Sequence, residues 1–195
     1  MAKLYFRYGA MNSGKSTALL QAAYNYEERG QHALLSKPAV DRKGGGDIVS
    51  RLGARRPVDI VITPGDNVLS LFRARESEHG VDALFVDEAQ FLSAEQVDQL
   101  MSIVVHEHVP VLAYGIRTDF RTDAFPGSRR LLEIAHSIEE LKTICRCGHK
   151  AMFNGRVLGG HFVFDGDVVS IDGIDAGYES LCAECYSRAS SGMRF

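Results

Sequence analysis

The stretch Gly9-Ala10-Met11-Asn12-Ser13-Gly14-Lys15-Ser16 fits G-x-x-x-x-G-K-[ST] at every required position, and it constrains the fold more than any other part of the chain. A loop of this kind works only between a buried strand and a helix. Its glycines let successive backbone N–H groups converge on phosphate oxygens, while the following helix aims its positive end at them. The flanks meet that demand. Leu4-Tyr5-Phe6-Arg7-Tyr8 reads as a strand, and Thr17 to Arg29 reads as a helix carrying Leu19, Leu20, Ala23 and Tyr24 at helical spacing, with Gly30 as its stop. Gly9 through Ser16 is therefore expected to hold a nucleotide's phosphates, Lys15 reaching the β- and γ-phosphates and the Ser16 hydroxyl a magnesium ion. The alternative is a chance match in a glycine-rich turn, and the strand and helix on either side weigh against it.

Beyond the loop, strands and helices alternate. Ala33-Leu34-Leu35-Ser36 reads as a strand ended by Lys37-Pro38, since proline cannot donate to a ladder. Asp41 to Arg56, with Gly44-Gly45-Gly46 and Arg42, Lys43, Arg51, Arg55 and Arg56, reads as a mobile surface loop, either simply solvated or closing over phosphates. Asp59 to Thr63 is a further strand, and a helix follows with Val68, Leu71 and Phe72 on one face. Ala83 to Val86 is a buried strand, Val97, Leu100, Met101 and Val104 stripe another helix, and Val109 to Tyr114 is again a strand. This alternation predicts an α/β fold, a P-loop parallel sheet flanked by helices, with ligands beyond the carboxyl ends of the strands. From about Thr143 the pattern changes to cysteines, glycines and short β-like runs, His161 to Phe164 and Val168 to Ile171. The expected division is a nucleotide-binding domain at 1–142 and a small C-terminal zinc-ribbon-like domain at 143–195.

The strand Ala83 to Val86 delivers Asp87 and Glu88 to that edge. Asp87 is expected to serve the metal on the phosphates across from Ser16, leaving Glu88 to accept a proton from an attacking hydroxyl or water. Gln90 is assigned with the nucleotide-binding set. Asp87-Glu88-Ala89-Gln90 also looks like the ATPase box of helicases, so a single-domain, DNA-stimulated ATPase is the rival reading. Such motors need a second nucleotide-domain half, and 195 residues hold only one. A formal net charge of −3 gives no ground for general affinity to nucleic acid. No apolar run reaches the length of a membrane span and no signal peptide is recognisable, so a cytoplasmic protein with a small-molecule substrate, and neither nucleic acid nor membrane as partner, is expected.

Cys145-x-Cys147 and Cys182-x-x-Cys185 have the makings of a four-sulfur structural zinc site that staples a long loop at its base. Because the first pair is tight, His149 stands as a substitute ligand, and buried free cysteines are the bland alternative. A structural site with four ligands has no open position for chemistry.

With these features in hand, the chain resembles the small, zinc-containing type II thymidine kinases over nearly its whole length. The resemblance rests on Ala10 to Ser16, on Asp87-Glu88-Ala89-Gln90-Phe91, on Tyr114-Gly115-Ile116-Arg117-Thr118-Asp119-Phe120, and on Leu141-Lys142-Thr143-Ile144-Cys145-Arg146-Cys147-Gly148. It implies transfer of the ATP γ-phosphoryl group to the 5′-hydroxyl of thymidine, in pyrimidine salvage for DNA synthesis. Glu88 falls in the place of the base, with Asp87 and Ser16 serving Mg²⁺. Met11, Phe91, Ile116, Phe120 and Phe125 match positions that enclose the pyrimidine. Val169, Ile171, Gly173 and Tyr178 match contacts on a substrate-covering lasso between the cysteine pairs, with Arg156 beside them. Two departures stand out: Asp172-Gly173-Ile174 replaces an Ile-Gly-Gly run before the tyrosine, and Asn154 stands where some members have threonine. The resemblance also implies a homo-oligomer, a tetramer or dimer.

Overall fold

The computed structural model describes residues 1–41, 44–166 and 177–192. Strand β1 (Leu4–Tyr8) enters the glycine loop and helix α1 (Lys15–Glu27) leaves it. There follow β2 (Ala33–Pro38), β3 (Asp47–Val49), β4 (Arg55–Pro57), β5 (Ile60–Ile62), α2 (Val68–His79) and β6 (Ala83–Val86). A 3-10 turn at Ala89–Phe91 then leads into α3 (Ala94–Ser102), which runs on into a π turn at Ile103–Glu107. β7 (Val111–Gly115), α4 (Pro126–Ile134) and β8 (Ser137–Glu140) complete the larger part.

Six of these strands form one parallel sheet in the order β5-β2-β6-β7-β1-β8. Successive side chains on a strand point to opposite faces, and the core divides accordingly. Leu34, Leu84 and Ala113 pack with Val68 and Phe72 of α2, Val97 and Leu100 of α3 and Leu131 of α4. Their chain neighbours Leu35, Phe85, Leu112 and Tyr114 pack with Leu19 and Ala23 of α1 on the other face. Both faces are covered, which is why β2, β6 and β7 are apolar almost throughout. Among the described residues no helix is long and apolar enough to cross a membrane.

The C-terminal part has its own small sheets. β9 (Thr143–Ile144) pairs with β10 (Lys150–Ala151), and β11 (Phe153–Leu158) is central between β12 (His161–Val163) and β13 (Gly177–Leu181), antiparallel to both. Helix α5 (Ala183–Ala189) closes it. Its core gathers Cys145, Ala151, Phe164, Leu181, Cys182, Cys185 and Tyr186.

Several local expectations are revised. The first helix begins at Lys15 instead of Thr17. β2 does not stop before Lys37-Pro38: β6 pairs with it only as far as Ser36↔Val86, so the missing proline N–H meets no ladder partner there, while Pro38 still pairs with Ile62 of β5. Asp41 to Arg56 is not a bare loop, because β3 and β4 form an antiparallel hairpin pinned by Arg55 to Asp47 and Arg56 to Glu27. Its Arg42 and Lys43 lie outside the described residues, as does the Val168 to Ile171 run. β8 was not anticipated. Ser137-Ile138-Glu139-Glu140 has no apolar run to announce a strand, and it is held by pairing with β1 and by Glu139 on Arg7 at 2.9 Å.

Helix α4 is seated on the 3-10 turn through Gly127, where a Cβ would lie 2.5 Å from the Ala89 carbonyl oxygen, 2.7 Å from that of Leu92 and 3.0 Å from that of Gln90. Backbone oxygens cannot swing aside as a side-chain tip would. Gly127→Ala is expected to destabilise by about 1–3 kcal/mol, seen as a Tm lowered by several degrees in thermal unfolding. An unchanged Tm would mean that helix and turn are not in this contact.

Candidate active site

Parallel strands bring all their carboxyl ends to one edge, and the chemistry-bearing segments gather there. Gly14 takes a left-handed φ of 77°, and Asn12, of a residue type that tolerates that region, a φ of 67°. Lys15 is only 8% exposed, its Nζ donating to the carbonyls of Gly9 (3.3 Å) and Ala10 (3.0 Å) and to Ser13 Oγ (3.4 Å). Its charge is thereby kept inside the loop.

Ser16 Oγ donates to Asp87 Oδ2 at 3.0 Å, across 71 residues of sequence. Asp87 is buried, and burial first, then the charge of Glu88, pushes its carboxyl up to about 7, against the Ser16 bond. A hydroxyl and a buried carboxylate side by side are a hard-oxygen donor set suited to magnesium.

Glu88 follows in a left-handed conformation, φ 48° and ψ 37°, which turns the chain from β6 into the 3-10 turn. Non-glycine residues in this region are strained and concentrate at functional sites. Gln90 is fully buried; its Nε2 donates to Glu88 Oε2 at 2.5 Å and its Oε1 accepts the Ile116 N–H at 3.2 Å. The structure therefore places Gln90 between Glu88 and the end of β7, as a support for the glutamate.

Beside them a cavity of about 560 Å³ opens, walled by Gln90, Phe91, Ser93, Asp119, Arg121 and Phe125 among others. The rings of Phe91 and Phe125 meet edge to face, centroids 5.6 Å apart at 82°. Ile116 and Phe120, 8% and 1% exposed, are packed into the protein. Arg156 lies over the Phe120 ring at 4.1 Å and is paired across strands with Tyr178. The Tyr178 hydroxyl is raised above its ordinary value by burial, Arg156 opposing. Asp119 is buried and accepts the N–H groups of Arg121 (2.8 Å) and Asp123 (3.0 Å), fixing the turn between Phe120 and Phe125. Of the anticipated slot residues, Phe91 and Phe125 come together, and Phe120 meets Arg156, itself paired with the lasso residue Tyr178. Val169, Ile171, Gly173 and the Asp172-Gly173-Ile174 departure lie outside the described residues.

The four thiols of Cys145, Cys147, Cys182 and Cys185 lie within 4.8 Å of one another. His149 Nδ1 is 3.5 Å from Cys147 Sγ, a neighbour of that thiol, while the cysteines converge by themselves. Burial raises Cys145, but N–H groups of Cys147 and Cys182 together with the thiols of Cys147 and Cys185 bring it down to about 6, whereas neighbouring thiols push Cys185 up to about 12. Crowded sulfurs cannot all ionise without a cation, and four of them suit a metal such as zinc.

Residues that pattern did not single out tie the cysteine region to the loop edge. Ser180 donates to the Met11 carbonyl, and Tyr186 to the Phe120 carbonyl at 2.7 Å. Asn154, noted only as a departure, is 3% exposed and accepts the Met11 N–H at 2.7 Å. A serine, an asparagine and a tyrosine within short β-like and helical runs carry no signal until their partners are known.

A family model described as thymidine kinase matches residues 2–186. The chain is similar to the thymidine kinase of Idiomarina loihiensis, 49% identical with both chains covered in full. It is also similar to that of Ruegeria pomeroyi, 48% identical over 97% of this chain and 96% of the relative. The thymidine kinase of Legionella pneumophila (strain Paris) is 46% identical over 100% of this chain and 94% of its own.

Between about pH 4 and 7 the folded chain keeps a proton on Asp87 that the unfolded chain has released, so this group's contribution to stability falls as pH rises through that window. Asp87→Asn is expected to raise Tm by several degrees at pH 8 in magnesium-free buffer, and to change it little at pH 4 to 5. Equal melting of the two proteins at pH 8 would contradict a charge trapped at this position.

Proposed function

The chain belongs to the thymidine kinase family, and is thus a kinase; on that premise we propose that it transfers the γ-phosphoryl group of ATP to the 5′-hydroxyl of thymidine. The observation that carries the reading is the Ser16 to Asp87 contact with Glu88 on the next residue and an aromatic cavity beside it. Donor phosphates, a base and a flat apolar site thus share one strand edge.

In this reading the loop N–H groups and Lys15 bind the ATP phosphates, and Ser16 with Asp87 would hold Mg²⁺. Magnesium, when bound, neutralises charge shared between the β- and γ-phosphates. Glu88 takes the proton from the 5′-hydroxyl as that oxygen bonds to the γ-phosphorus and the bond to the leaving ADP oxygen breaks. Gln90 holds one Glu88 oxygen in place for that step. Phe91, Phe125, Met11, Ile116 and Phe120 would enclose the pyrimidine, with Arg156 and Tyr178 at its edge and Val169, Ile171 and Gly173 from the lasso. Phosphoryl transfer asks little more of a protein than positioning and charge stabilisation.

The four cysteines would hold a structural Zn²⁺ as the staple of a C-terminal domain at 143–195, distinct from the nucleotide domain at 1–142. A cytoplasmic homo-oligomer, dimer or tetramer, belongs to the same reading. Nothing in the comparisons favours the DNA-stimulated ATPase.

ADP release from magnesium ATP is expected with thymidine, matched by thymidine monophosphate, and not with single-stranded DNA alone. Glu88→Gln should lower kcat by about 10²–10⁴-fold while ATP binding persists; turnover left intact would remove Glu88 from the reaction. Protein purified without chelator is expected to carry one zinc per chain, and Cys182→Ser to lose both the zinc and several degrees of Tm. Metal analysis finding no zinc would sink the staple.

A further inference from the structure

The phosphate loop is held from behind by two side chains of the cysteine region. Met11 is the loop residue whose backbone polar groups are both taken up this way: Asn154 Oδ1 accepts its N–H at 2.7 Å, and Ser180 Oγ donates to its carbonyl. Asn154 is 3% exposed and Ser180 6%, so neither bond competes with bulk water. The two residues face each other as the Asn154↔Ser180 pair of β11 and β13, a register that delivers both side chains to one peptide segment. Asn154 Nδ2 in turn donates to the Thr118 carbonyl at 3.3 Å, which fixes the amide's orientation: a backbone N–H can only donate and a carbonyl only accept. Thr143 Oγ1 on the Asn12 carbonyl adds a weaker tie at 3.5 Å. A space of about 10 Å³ among Tyr8, Gly9, Ala10, Thr118 and Asn154 is near the size of one water, so this seam is closely packed.

Resting on the kinase reading above, we infer that Asn154 and Ser180 are positioning residues for the nucleotide: they clamp the Met11 backbone so that the rest of the loop presents its N–H groups to the phosphates in fixed geometry. Neither touches the reacting atoms. Their effect on the nucleotide passes through the loop backbone, which links donor affinity to a module far along the chain. Asn154 accordingly turns its amide towards the loop and Thr118.

The test is MgADP binding by calorimetry, with KM for ATP and kcat measured on the same preparations. Asn154→Ala and Ser180→Ala are each expected to weaken MgADP binding roughly tenfold, about 1.4 kcal/mol, and to raise KM for ATP more than they lower kcat. Both act through one residue, so the double variant should weaken binding by much less than the product of the two. Tm and zinc content are measured on each variant; Ser180→Ala removes a single hydroxyl and carries the expectation alone where Asn154→Ala does not fold. Wild-type affinity in folded Asn154→Ala and Ser180→Ala, or a loss confined to kcat with KM for ATP unchanged, would overturn the inference. Failure of the kinase reading shows differently, as a wild-type protein without thymidine-dependent ADP release.

Discussion

The 3.0 Å bond between Ser16 and Asp87 is the contact on which the remaining geometry depends. It joins the start of α1, reached from β1, to the end of β6, and β7 lies between those strands in the sheet. For the two side chains to meet, helix α1 must begin over the ends of β7 and β6, and the strands must finish level. The parallel registers Phe6↔Ala113 and Val86↔Ala113 supply that level edge. β7 then delivers Ile116 and Gly115 between the two halves, where Gly115 leaves room for the Gln90 amide: a Cβ there would lie 2.6 Å from Oε1. An acid buried beside a second acid is unfavourable on its own, as the upward shift of Asp87 records. Such a placement is sustained by the sheet's core and would gain its use from the magnesium ion proposed to bind there.

The cysteine cluster is a second fixed point with a different physical basis. Among the described residues, seven buried side chains around Tyr186 and Phe164 make up the core of the five short strands and the short helix. The zinc proposed on the four converging sulfurs would cross-link the chain beside that core. The same region contributes Tyr186 to the Phe120 carbonyl, Arg156 to the Phe120 ring, and Asn154 and Ser180 to Met11. Hydrogen bonds that each span more than sixty residues thus tie this region to both the glycine loop and the aromatic segment.

What was legible in the sequence is what local pattern encodes. The glycine loop, the apolar run into Asp87 and the cysteine pairs announce themselves through spacing, because backbone conformation and burial on both faces dictate residue type there. β8 and the β3–β4 hairpin were missed for the converse reason: their strands are held by pairing and ion pairs, and carry charged residues that read as loop. Pro38 misled because its strand position is harmless only if the neighbouring strand ends first, a fact of register. Gln90 is read from the sequence with the nucleotide-binding set, and pattern gives no sign of its contacts with Glu88 and Ile116. The left-handed turn at Glu88, invisible to pattern, sends it into the core.

That turn also decides how Glu88 is met. Ile116 N–H can only donate, so the Gln90 carbonyl oxygen must face it, and the amide nitrogen is then committed to Glu88. Glu88 Oε2 is thus addressed by a donor and held as an acceptor, leaving Oε1 for the incoming hydroxyl in the proposed reaction. Reversing the amide would break both bonds at once, since two donors would face each other at Ile116 and two acceptors at Glu88. The orientation of Glu88, the proposed base, is therefore set by the carboxyl end of β7, the same strand that separates Ser16 from Asp87. One strand end serves both halves of the site, so in the proposed reaction the spacing between phosphates and acceptor hydroxyl is a property of the sheet and not of any loop.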